Sequence, residues 1–142
     1  RVNGRHPIAA YEFLGPKLEG KDVILIDDMI SSGKSILEIA SLLKKRGAGK
    51  IFICTTFGLF TEGMEKFDEA YQNGIFDKLL TTNLVYQTPE LLSRPSYITC
   101  DMSKYIALII DTLNHDMSVS HLLNPADRIK RCVSNYMAQY EK

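Results

Sequence analysis

The sequence predicts an α/β domain built on a parallel sheet. Three observations carry that expectation: an apolar run, Val23-Ile24-Leu25-Ile26, that ends in two acids; a helix-spaced segment directly after it; and the same strand-then-helix order repeated further along. The run is continuous and mostly β-branched, the pattern of a central strand buried on both faces of its sheet. From Ser35 to Arg46, Ile36, Ile39, Ala40 and Leu43 fall at helical spacing, basic residues fill the last turn, and Gly47 supplies a stop. Ile51 to Phe57 reads as a second strand, and Thr61 to Tyr71 as a helix through Met64, Phe67 and Tyr71 that ends at Asn73-Gly74. Lys78 to Thr82 and Tyr97 to Cys100 are shorter strands, separated by a loop that carries Pro89 and Pro95. Asp101 or Ser103 can cap a helix with the stripe Ile106, Ile109, Ile110 and Leu113, and Asn124-Pro125 opens a last helix.

That last helix is amphipathic, with Ile129, Cys132, Val133, Tyr136, Met137 and Tyr140 on one face and mixed charge on the other. This favours docking on protein over lying on a membrane. At 142 residues with 45% hydrophobic content, one domain over 1–142 is expected, with 124–142 as its C-terminal helix. Seventeen basic and seventeen acidic side chains cancel, so no broad field is available to hold nucleic acid or an anionic bilayer, and any bound anion must be held locally. Cys54, Cys100 and Cys132 are odd in number and lack metal-ligand spacing, which points to small core residues in a reducing, cytoplasmic compartment. His6, His115 and His121 are too scattered for a metal cluster or triad. The chain begins without methionine, and Val2 to Gly15 reads as an irregular hairpin or flap, so a longer polypeptide is expected.

Chemistry concentrates in Val23-Ile24-Leu25-Ile26-Asp27-Asp28-Met29-Ile30-Ser31-Ser32-Gly33-Lys34-Ser35. A strand delivers two carboxylates to the carboxyl edge of a parallel sheet, where ligands bind, and a loop of small hydroxyl residues then opens a helix. Free amides at the helix start, joined by the Ser31, Ser32 and Ser35 hydroxyls, suit a phosphate dianion, and Gly33 allows close backbone approach. Charge-assisted hydrogen bonds of this kind contribute roughly 1.5–3 kcal/mol each. Gly33-Lys34-Ser35 matches the end of a nucleotide-binding P-loop, but the glycine required five residues earlier is Asp28, which would repel a triphosphate. Acids directly before a phosphate loop suit a ligand whose hydroxyls neighbour its phosphate, as in ribose 5-phosphate. Asp27 and Asp28 would accept from the 2- and 3-hydroxyls, or hold them through a hydrated magnesium ion.

Four apolar residues, two acids and a small-residue loop ending in serine resemble the phosphoribosyl-pyrophosphate motif of type I phosphoribosyltransferase folds. Flanking residues resemble the ribose-phosphate pyrophosphokinases more closely: Asn3-Gly4-Arg5-His6-Pro7-Ile8, Glu12-Phe13-Leu14-Gly15, Arg46-Gly47-Ala48, Thr56-Phe57-Gly58-Leu59-Phe60-Thr61, Thr81-Thr82-Asn83 and Ser118-Val119-Ser120. The resemblance runs from about Val2 to Leu123 and implies a parallel sheet with helices on both faces, incomplete at its N-terminal side. It further implies a two-domain enzyme that moves diphosphate from Mg-ATP to ribose 5-phosphate. The fragment would supply the sugar-phosphate site through Asp27, Asp28, Ser31, Ser32, Gly33, Lys34 and Ser35, with Mg2+ at Asp27 and Asp28 and the catalytic loop upstream of Arg1. Oligomers and nucleotide control are also implied.

Ser31 stands where many phosphoribosyltransferases carry an acid, which disfavours a transferase that takes phosphoribosyl pyrophosphate and a nucleobase. Lys34 replaces a residue that is small in most pyrophosphokinases, and Asn124 to Lys142 extends past the end of many members. A non-catalytic regulatory homologue is the remaining alternative, and the intact loop speaks against it.

Overall fold

The computed structural model of the protein describes Gly15 and residues 17–140, the side chains of His121 and Tyr140 excepted. The expected hairpin or flap over Val2 to Gly15 therefore lies, but for Gly15, outside the described residues. The elements run β1 (Val23–Ile30), α1 (Lys34–Lys45), β2 (Ile51–Gly58), α2 (Glu65–Gln72), β3 (Lys78–Thr82), α3 (Pro89–Leu92), β4 (Tyr97–Cys100), α4 (Ser103–Asn114), α5 (Ser120–Leu123) and α6 (Ala126–Tyr140). All three strand pairings are parallel, in the order β1-β2-β3-β4. This is the right outcome for strands joined by helices, because a parallel neighbour requires a crossover connection.

The chain divides into two compact units, the first running through Asp101 and the second from Met102. In the first, Ile51, Ile53, Leu79 and Tyr97 lie on one sheet face and are buried with Ile36, Ala40 and Leu43 of α1, Met64 at the start of α2, Phe67 of α2, and Leu91 of α3. Phe60, Phe67, Phe76, Tyr71 and Tyr97 interlock within this core as edge-on or tilted rings.

Among the described residues β1 is an end strand, not a central one, and Ile24 and Ile26 on its second face are 63% and 83% exposed. The β-branched run meets the propensity of a strand without meeting burial on both faces. The cysteines are not core residues, since Cys54 is half-buried and Cys100 and Cys132 are exposed. Helix α2 begins at Glu65, not at Thr61, because Phe60 and Gly63 take left-handed backbone angles and the Thr61 amide is drawn to the Ser31 carbonyl. The short helix α3 falls in a segment expected to be loop. Thr88 caps it by accepting from the Leu91 amide, and Pro89 occupies the first turn, as favoured there.

The second unit is helical. Tyr105 and Arg128 both donate to the Leu122 carbonyl at 3.0 Å, and the Arg128 guanidinium lies 5.2 Å from the Tyr105 ring centroid, joining α4, α5 and α6. Asn124 accepts from the Ala126 amide, as expected of a cap, and α4 starts at Ser103 with Met102 at its cap position. The apolar stripes of α4 and α6 remain largely exposed, with Ile110, Leu113, Ile129, Val133, Tyr136 and Met137 all more than half accessible.

Candidate functional site

The loop between β1 and α1 sits at the carboxyl edge of the parallel sheet, and a groove of about 150 Å³ opens there. Asp27, Met29, Ile30, Ser31, Ser32, Gly33, Lys34, Ser35 and Ile36 line it. Six of the seven residues that the sequence singles out are thus brought together. The seventh, Asp28, is exposed but does not line the groove, as strand alternation turns it away from Asp27. The Asp28 amide donates to the Asp27 carboxylate at 2.9 Å, which fixes one carboxylate oxygen and leaves the other open.

Helix α1 begins at Lys34 after Gly33, which has φ 79° and no side chain to cap the first amides. Ser32 Oγ stands 3.5 Å from the Lys34 amide, too long to satisfy it well. The start of α1 therefore offers amides with a positive dipole end and no acidic side chain in the first turn. Lys34 extends into solvent and meets Glu38 at 4.0 Å, an exposed pair that constrains it little.

Gly33 is required for a second reason. A Cβ built there would stand 2.2 Å from Phe67 Cζ, a clash with the edge of a ring whose residue is only 1% exposed. The loop after β2 closes on the other side: the Leu59 amide donates to the Ile30 carbonyl at 2.9 Å, the Thr61 amide to the Ser31 carbonyl at 3.0 Å, and the Ser31 and Thr61 hydroxyls stand 3.2 Å apart. Thr61 is a site neighbour that strand and helix patterns did not flag, because the contact spans 30 residues.

Further along the same edge the register places Asp27, Thr55, Thr81 and Thr99 in one row across the four strands. Thr81 and Tyr97 hydroxyls are hydrogen bonded, Gln87 donates to Tyr97 at 2.7 Å, and Thr99 donates to Gln87 at 3.0 Å. Burial pushes the Tyr97 phenol up from its ordinary range, against the opposing pull of its Thr81 and Gln87 hydrogen bonds. Thr55 is buried and its hydroxyl has no hydrogen-bond partner among the described residues. Among those residues no group of three or more His, Cys, Asp or Glu converges to hold a metal. Among the described residues no helix is long and apolar enough to cross a membrane either.

A groove at the carboxyl edge of a parallel sheet, framed by a carboxylate and a glycine-serine loop, defines the class of α/β domain. The comparisons narrow it. Residues 12–124 match the sequence profile of the phosphoribosyl synthetase-associated domain, and the chain belongs to that family. It is 26% identical over 107 residues to a ribose-phosphate pyrophosphokinase of Vibrio parahaemolyticus, covering 75% of this chain and 33% of that protein. It is 38% identical over 82 residues to one of Thermococcus kodakarensis, covering 57% of this chain and 26% of that protein. The crystal structure of phosphoribosylpyrophosphate synthetase from Mycobacterium smegmatis superposes with a TM-score of 0.62 at 22% identity, covering 72% of this chain and 33% of that one. At that identity the likeness is one of fold, a parallel α/β sheet. The chain spans a third or less of the length of these relatives.

Proposed function

We propose that the chain forms the ribose-phosphate-binding part of a ribose-phosphate diphosphokinase. The observation that carries the reading is the groove in which Asp27 faces the loop Ser31–Ser35 beneath the uncapped start of α1. A 5-phosphate seats against those amides and hydroxyls, and the open carboxylate oxygen of Asp27 accepts from the pentose hydroxyls. Asp28 acts from outside the groove, on a hydroxyl that overhangs the strand end or on a hydrated cation.

The exposed carboxylate of Asp27 in the groove, with Asp28 beside it and no converging group of three acidic, His or Cys ligands among the described residues, fits Mg2+, which keeps most of its waters and binds through one or two carboxylates plus phosphate oxygens. When bound, the ion would neutralise phosphate charge. In the full enzyme the anomeric hydroxyl of the seated sugar attacks the β-phosphorus of ATP and AMP departs. The role of these residues is to hold and aim the acceptor, since such transfers depend chiefly on positioning. The relatives' names and the groove support this reading over a transferase that takes a nucleobase. A cytoplasmic, homo-oligomeric enzyme completes the proposal, in keeping with three cysteines free of disulfides.

Isothermal titration with ribose 5-phosphate, ribose and inorganic phosphate tests it. The sugar phosphate should bind more tightly than either part, Asp27→Asn should weaken it, and the 142 residues alone should form little AMP from ATP. Equal affinity for phosphate and ribose 5-phosphate, or full turnover by the isolated chain, contradicts the proposal.

A further inference from the structure

We infer that Thr61, on the loop between β2 and α2, is a positioning residue that aims the Ser31 hydroxyl at a bound phosphomonoester; the inference rests on residues 31–35 being the phosphate seat. Two backbone bonds, from Leu59 to Ile30 and from Thr61 to Ser31, continue the β1–β2 pairing past the strands and fix the two loops side by side. The Phe67 ring packs against Gly33 from within the core, so the seat rests on α2 as well as on its own helix.

Against this fixed background the contact between Ser31 Oγ and Thr61 Oγ1 at 3.2 Å is an addition that the fold does not need. Both residues are exposed, and water would satisfy either hydroxyl as well. The consequence of the contact is therefore directional. A serine hydroxyl carries one proton, and a phosphate dianion only accepts. If Thr61 donates to Ser31 Oγ, the Ser31 proton is left to point at the phosphate, and the two-link chain polarises in the direction that strengthens the second bond. Thr61 thus acts through Ser31 and comes from a loop that the β1–α1 motif does not contain.

A double-mutant cycle separates this role from a structural one. Thr61→Val keeps the size and the backbone bond to Ser31 and removes only the hydroxyl. It should weaken ribose 5-phosphate and inorganic phosphate alike by roughly 3- to 10-fold in calorimetric titration, the range of one lost hydrogen bond. The melting temperature should stay unchanged, and Thr61→Ser should restore affinity. In a Ser31→Ala background Thr61→Val should have no further effect. A falling melting temperature that tracks the loss, or an undiminished effect in the Ser31→Ala background, overturns the inference. If Ser31→Ala weakens binding while Thr61→Val is silent, the positioning role fails and the phosphate seat stands. If both are silent, the seat fails with it.

Discussion

Gly33 meets two demands together: a left-handed backbone at φ 79°, and a surface flat enough for the Phe67 ring to lie against it. Alanine satisfies neither, so Gly33→Ala should destabilise the fold by about 2–4 kcal/mol, combining the left-handed penalty with overpacking of the core. Urea unfolding measures this, and a loss under about 1 kcal/mol would mean that Phe67 moves aside easily. Thr55 presents the opposite case. Its hydroxyl is buried with no partner among the described residues, beside Asp27 in the sheet register. Thr55→Val keeps the shape and removes the unmet group, so stability should rise by about 1 kcal/mol. A decrease on the same urea curve would show that the hydroxyl is hydrogen bonded in solution.

At the scale of elements, β3 and β4 are tied by the polar cluster of Thr81, Gln87, Tyr97 and Thr99 as well as by their ladder. Tyr97→Phe leaves Gln87 and Thr81 short of a partner and should cost about 1–3 kcal/mol near neutral pH. The pH dependence has a definite sign. Burial raises the folded phenol above its ordinary pKa, so the unfolded chain gives up that proton first and the folded state retains it. The contribution is then fully present below the unfolded pKa of about 10 and is lost as pH rises beyond it. Denaturant titrations at pH 8 and pH 10.5 should show wild type losing more stability than Tyr97→Phe between the two, and parallel losses would contradict it.

The elements also show where the sequence was legible. β3 and β4 fall on the residues that their apolar spacing indicates, and α1 within a residue at each end, because the burial pattern and the stop signals agree there. The start of α2 did not follow its helical spacing. Thr61 is held by a neighbouring loop, and a contact 30 residues away leaves no periodic trace. The end position of β1 was equally hidden, since a β-branched run looks the same at the middle and at the end of a sheet. α3 carried a readable Thr-Pro start that its four-residue length obscured. In the site, residues contiguous in sequence were legible, whereas Thr61 and Phe67, supplied from elsewhere in the chain, were not.

For the whole molecule, net charge is zero and no broad field gathers anions, so the proposed binding has to rest on the local geometry of the groove. The family match covers residues 12–124, and the chain spans a third or less of its relatives, so binding at the groove, and not turnover by the chain alone, is the property to measure. Amide chemical shifts of the isotope-labelled 142-residue chain, followed while ribose 5-phosphate is added, test it most directly. The largest, saturable displacements should fall on the amides of Ser31 through Ile36 and on Asp27, and Ser31→Ala should reduce them. Saturable shifts centred anywhere else, or none at the start of α1, would contradict it.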